Sequence, residues 1–176
     1  MRETVKIIKD QSDILLRNMY EQINRAELSG MVDNVNNSRI LFHMIHSMDK
    51  YFINPFDYSY DEVYKLTGID EKYSIISESR EGYIEDPDYV ISKEILSAYM
   101  DFVKEKINRY LDNLNDEDLY KKPEGCKYTI MQMILAQYRH SMFHCGMSEM
   151  ATFDNRGDWL EYTGIAYIPI SNQTSK

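Results

Sequence analysis

An all-α fold, a four-helix bundle, is what the sequence predicts, and three observations carry that expectation. Glycine (7) and proline (4) are scarce among 176 residues, too few turn formers for a chain of many short strands. Methionine is plentiful at 11, an unbranched apolar side chain that suits helices. Apolar residues also recur at three- and four-residue steps over four separate stretches.

The first helix is expected from about Thr4 to Leu28, where Val5, Ile8, Leu15, Leu16, Met19, Ile23 and Leu28 make the stripe and Ser29 and Gly30 end it. Asn36, Asn37 and Ser38 offer N-cap chemistry for a second helix with a Leu41, Ile45, Met48 and Phe52 seam. Pro55 stops it, because proline disfavours an α conformation in the residue before it. Ser59 and Glu62 have capping-box spacing and open a short helix that ends at Gly68.

From Ile69 to about Tyr89 the text is polar and irregular, a long crossover that lets two neighbouring helices run parallel. A third long helix spans about Lys93 to Leu114, with Ile95, Leu96, Tyr99, Met100, Val103, Ile107 and Leu111 inward. Asn115, Asp116, Glu117 and Asp118 form a solvated turn whose acids suit the start of a short helix at Leu119. Thr129 and Gln132 make the clearest capping box, ahead of an apolar stretch running to about Phe153 and broken by the turn from Asp154 to Gly157. A short extended C-terminal tail follows, from Asp158 to Ile170. The chain reads as a single domain over 1–170, with 171–176 frayed.

Composition narrows the function. A net charge of −9 repels phosphate backbones and anionic membranes, so nucleic acid and membrane surfaces are expected non-partners. No apolar run approaches the ~20 residues of a membrane span. The charged stretch MRETVKIIKDQSD is unlike a secretion leader. Two cysteines, Cys126 and Cys145, make no disulfide framework, and a reducing cytoplasm is the expected compartment. The 15 tyrosines fill half-buried positions while keeping their hydroxyls wet.

One feature departs from ordinary core patterning. Met133, Gln137, His140, His144, Met147 and Ala151 share one seam of the last long helix, with two histidines where core residues belong. Side chains four apart on a helix sit ~5–6 Å apart at Cβ, so two imidazoles can share an ion. The remaining histidines, His43 and His46, both lie in the second helix. Three histidines with one open position suit zinc or nickel. The competing reading has His140 and His144 as core histidines bonded to Gln137, to tyrosines or to each other. On a helical wheel His46 stands at the edge of the apolar arc, whereas His43 stands in the polar arc with Arg39, Ser47 and Lys50. Amphipathicity thus mildly favours His46 as the inward residue, although a metal pocket is itself polar.

The stretch from Phe42 to Phe52 resembles a signature of the DinB/YfiT-like superfamily: His43, an acid six residues on at Asp49, then the aromatic pair Tyr51 and Phe52. Ser92 to Tyr99 is similar to the opening of that family's third helix, and Arg139 to Gly146 to its fourth-helix motif of two histidines four apart. The blocks lie in family order, and the resemblance covers roughly 1–155. It implies an up-down-down-up four-helix bundle with a divalent metal ion held by His43, His140 and His144. It also implies hydrolase or thiol S-transferase chemistry on a small molecule. The alternative is a non-catalytic binding module, a homodimer through its Met- and Tyr-rich faces, with a structural or vestigial metal site.

Several neighbours have two readings. Asp49 orients an imidazole or, the favoured reading, is a solvated acid paired with a lysine. Gln137 supports a ligand or contacts substrate. Arg139 meets an anionic substrate or, as favoured, makes a surface ion pair. Cys145, about 100° around the helix from His144, is expected to be buried and inert. Tyr138 and Met142 are assigned to packing.

Overall fold

The apolar stripes become helices, and helix dominates the described residues, 2–32, 34–78 and 83–168, of this computed structural model. Helix α1 (Glu3–Arg25) buries Val5, Ile8, Leu15, Leu16, Met19 and Ile23. It stops at Arg25 rather than near Leu28, because Ala26 turns extended and the chain enters a small hairpin. Strands β1 (Met31–Val32) and β2 (Val35–Asn36) pair antiparallel there, a pairing with no counterpart in the sequence expectation. Two residues per strand are too few for alternation to register.

Helix α2 (Asn37–Tyr51) is capped by Asn36, whose side chain accepts from the Arg39 amide. Its seam of Leu41, Ile45, Met48 and Phe52 is fully buried. Burial goes further than the seam, since every residue from Asn37 to Asp49 is buried. Helix α3 (Asp61–Thr67) ends at Gly68 as expected, where φ of +69° favours glycine. Its expected capping box does not form. Ser59 Oγ accepts instead from the Asp61 amide, and the helix begins one residue beyond the cap at Tyr60.

The crossover continues through a 3-10 turn at Glu71–Ser74. Helix α4 (Lys93–Asn113) is capped by Ser92 and buries Leu96, Tyr99, Met100, Val103, Ile107 and Leu111, while Ile95 is half-buried. A 3-10 turn at Asp118–Tyr120 buries Leu119. Helix α5 (Ile130–Arg156) carries the complete capping box between Thr129 and Gln132. It runs through the expected break at Asp154 and ends only at Gly157, φ +75°. The tail is irregular rather than strand-like, with a 3-10 turn at Ile165–Tyr167, and lies on α1 through paired hydrogen bonds of Asn18 with Thr163. The expected fraying over 171–176 lies outside the described residues.

Side-chain contacts set the direction of each helix pair. Arg2 reaches the Leu111 and Asp112 carbonyls while Lys93 reaches that of Asn24, so α1 and α4 run in opposite directions. Tyr138 donates to the Ile8 carbonyl and Thr152 accepts from the Glu27 amide, so α1 and α5 run the same way. Asn37 lies against Ser148 and Phe52 against Tyr138, which makes α2 and α5 opposed. Ser38 accepts from the Ile91 amide and Asp49 meets Tyr99 and Lys106, which makes α2 and α4 alike. One large apolar cluster joins these helices. Among the described residues no helix is long and apolar enough to cross a membrane.

Candidate metal centre

The Thr129 cap sets where α5 starts, and helical periodicity then places His140 and His144 on one face, ring centroids 4.5 Å apart. Because α2 opposes α5, His43 meets both rings, at 5.3 Å from His140 and 4.8 Å from His144. One nitrogen from each lies within 4.8 Å of the others, so three histidines stand close enough to bind a metal ion. His43 and His144 are buried, and His140 is half-buried.

The protonation pattern suits a cation. His43 Nδ1 lies 2.7 Å from the Ser74 carbonyl oxygen, which can only accept, so Nδ1 carries the hydrogen. The lone pair is then on Nε2, 3.5 Å from Ser47 Oγ. Among the described residues buried His144 Nδ1 has no hydrogen-bond partner, the condition expected of a nitrogen meant for an ion. Burial, then the neighbouring His43 and His140, push the His144 imidazole down to about 3, so it is neutral at physiological pH, as a ligand must be. An all-nitrogen donor set suits zinc or nickel.

The crossover that supplies Ser74 is clamped to α2 by Arg39, a fully buried arginine. Its Nε donates to the Tyr73 carbonyl at 2.6 Å, Nη2 to Ile75 at 3.1 Å, and Nη1 to Glu85 and Asp86 at 2.8 and 3.0 Å. Four carbonyls meet one planar fork, and two of them flank Ser74. The wheel puts Arg39 in the polar arc of α2, yet the structure buries it. The signal was the row Arg39, His43, Ser47, too polar to be core and too regular to be incidental.

His46, which the wheel favoured, is buried as well but stands outside the cluster. Its Nε2 donates to Glu71 Oε1 at 2.9 Å and its ring packs edge-on against Tyr58 and Tyr60. Burial lowers its pKa despite the opposing Glu71 carboxylate, so it serves as a neutral donor. The wheel misled because the crossover covers the polar arc of α2, leaving both faces of the helix inside.

Asp49 bonds no imidazole among the described residues but meets Lys106 Nζ at 2.6 Å and Tyr99 Oη at 3.2 Å. The lysine pairing was expected, but Asp49 is buried rather than solvated. Arg139 is exposed and makes no ion pair with any described residue, which corrects the surface-pair expectation. Met142 is exposed rather than part of a core seam, since 142 falls on the outer side of α5. Tyr138 packs and also bonds Ser12 and Ile8. Cys145 is buried against Met44, and both cysteines are free. Asp116 accepts from the Val5 amide and Asp118 from that of Asn115.

A cavity of about 780 Å³ opens beside the cluster, touching His43 and His140 and walled by Lys50, Glu71 and Lys72. That volume is in the range of small-molecule sites. In comparisons with known proteins, no family model, curated protein or solved structure matches the chain.

Proposed function

We propose that the chain holds one divalent ion, zinc or nickel, with His43, His140 and His144, in a DinB/YfiT-like bundle of up-down-down-up order. The observation that carries the metal reading is the meeting of three imidazoles from two helices within 4.8 Å, beside a cavity. The pairwise helix directions favour the bundle order, α1 with α5 one way and α2 with α4 the other. The family assignment rests on the three blocks of sequence around His43, Ser92 and His140.

An ion held this way lowers the pKa of a coordinated water or thiol and polarises a carbonyl, the chemistry of a hydrolase or a thiol S-transferase acting on a small molecule. The chain's own groups set the stage. Ser74 and Arg39 hold the His43 ring in the tautomer that presents Nε2. On the cavity wall Glu71 takes hydrogen bonds from His46 and Lys50. Burial would raise its pKa, but those two donors outweigh it and hold the carboxyl below the ordinary range. Glu71 therefore accepts a donor at neutral pH and carries no proton of its own.

The test is metal content. Untagged protein should carry close to one divalent ion per chain, and the double variant His140→Ala, His144→Ala should lose it while its far-UV circular dichroism persists. Stoichiometric metal in the double variant defeats the site assignment. A second reading, a non-catalytic module that pairs with another copy, is favoured by exposed Met142, Phe143 and Met150 on α5. Wild-type protein that takes up neither zinc nor nickel, and sediments as a dimer, selects it.

A further inference from the structure

The metal-side cavity has an unlike neighbour. A second cavity of about 730 Å³ lies over the N-terminal half of α5, walled by Phe56, Tyr128, Met133, Leu135 and Ala136. Tyr51 and Gln137 line both cavities, so a polar chamber and an apolar one adjoin at those two side chains. Gly125 lets the loop before α5 close onto Phe56: its φ is +76°, and a Cβ there would stand 3.1 Å from the phenyl ring.

Gln137 marks the junction. The residue is only 8% exposed, yet its Oε1 is buried without a hydrogen-bond partner among the described residues. An unpaired buried carbonyl is unfavourable, and the Gln137 side chain lines both chambers, so a ligand N–H or O–H that drew this oxygen towards it would satisfy it. The apolar chamber's lining also carries charge. Arg139 and Lys127 line the apolar cavity, are exposed, and have no acidic partner among the described residues. Two unpaired cations beside an apolar groove, on a chain of net charge −9, make a local attraction for an anion.

We propose that the two cavities form one substrate cleft for an elongated amphipathic carboxylate. Its polar, metal-seeking head lies at His43, His140 and His144, and an amide or hydroxyl hydrogen next to the head meets Gln137 Oε1. Its aliphatic or aromatic body lies in the apolar chamber beside Tyr51 and Met133, and its carboxylate meets Arg139 and Lys127. The proposal rests on the reading of the three histidines as a metal centre and adds the class of molecule that the centre serves. Among the described residues the lysines of the polar chamber, Lys50 and Lys72, are already paired with Glu71 and Glu85, which disfavours a polyphosphate as the class of ligand.

Calorimetry on zinc-loaded protein with three hydroxamates tests this: acetohydroxamate, octanohydroxamate and suberic acid monohydroxamate. The head alone should bind weakly, and the six-methylene body should tighten binding by on the order of tenfold to a hundredfold. Ala136→Trp, which fills the groove, should abolish that gain and leave acetohydroxamate affinity within about twofold of wild type. Arg139→Gln should weaken the suberic monohydroxamate by roughly threefold to tenfold and leave octanohydroxamate unchanged. Equal affinity for acetohydroxamate and both long probes, or a gain that survives Ala136→Trp, overturns the cleft while leaving the metal centre standing. Protein that retains no zinc overturns both.

Discussion

His43 Nδ1 and the Ser74 carbonyl oxygen stand 2.7 Å apart, and this contact joins the polar face of α2 to the crossover. A carbonyl cannot donate, so the bond selects the imidazole tautomer whose lone pair is on Nε2, in a ring that packs against His140 and His144. Nitrogen-15 NMR of the metal-free protein should find His43 protonated on Nδ1. A ring protonated on Nε2 instead would remove the physical basis for its role.

Arg39 positions that carbonyl through its grip on Tyr73 and Ile75. In Arg39→Lys, a single ammonium cannot span four carbonyls. Stability to urea should drop by about 1–3 kcal/mol. Zinc affinity, measured by chelator competition, should fall about tenfold to a hundredfold, the usual effect of disturbing a residue behind a ligand. Unchanged zinc affinity with the stability loss present would make Arg39 structural only.

Asp49 supplies the matching control. Removing it in Asp49→Ala strips Lys106 and Tyr99 of a buried partner and should cost about 1–3 kcal/mol in urea unfolding. Since Asp49 bonds α4 and none of the clustered histidines among the described residues, metal content should stay at the wild-type level. Loss of the ion from folded Asp49→Ala would reinstate it as a support for the imidazoles.

The metal-free protein should lose stability in acid through His144. Its pKa is about 3 in the fold against an ordinary 6.5, so between those values the unfolded chain binds a proton that the folded chain refuses. The sign follows: this contribution is whole above pH 6.5 and is lost as pH falls towards 3, with a slope of at most about 1.4 kcal/mol per pH unit. Urea midpoints from pH 7 down to 4 would measure it, and His144→Gln should flatten the slope. An unchanged slope in that variant would place the acid sensitivity elsewhere.

The two thiols should separate by reactivity. Burial, with Glu149 adding, raises Cys145 to about 12, whereas Cys126 is half-buried on a loop. A disulfide reagent at pH 8 should label one thiol per chain quickly and the second only on unfolding. Rapid labelling of both would show that α5 opens where it packs on Met44.

How far the sequence reached depended on how local each feature is. Thr129 and Gln132 are three residues apart and sit before a strong apolar run, so their capping box forms as read. Ser59 and Glu62 share that spacing, yet Ser59 spends its oxygen on the Asp61 amide in a tight turn, a choice that spacing alone cannot express. His46 and His43 were separable by a wheel only if the polar arc of α2 faced water, and the crossover covers it.

The sequence by itself determined the long helices, the caps of α2 and α5, and the pair His140 and His144, because a helix brings residues four apart onto one face whatever surrounds it. The resemblance named His43 as the third ligand against the wheel's preference, and the tertiary structure brings its ring to the other two; only the tertiary structure decided that Arg39 is buried and that Gln137 lines both a polar and an apolar chamber. Each of those depends on which surface is laid over which. The residues that bring it about, Ser74, Glu85 and Asp86 among them, lie thirty to fifty positions away in a crossover whose polar text carries no period.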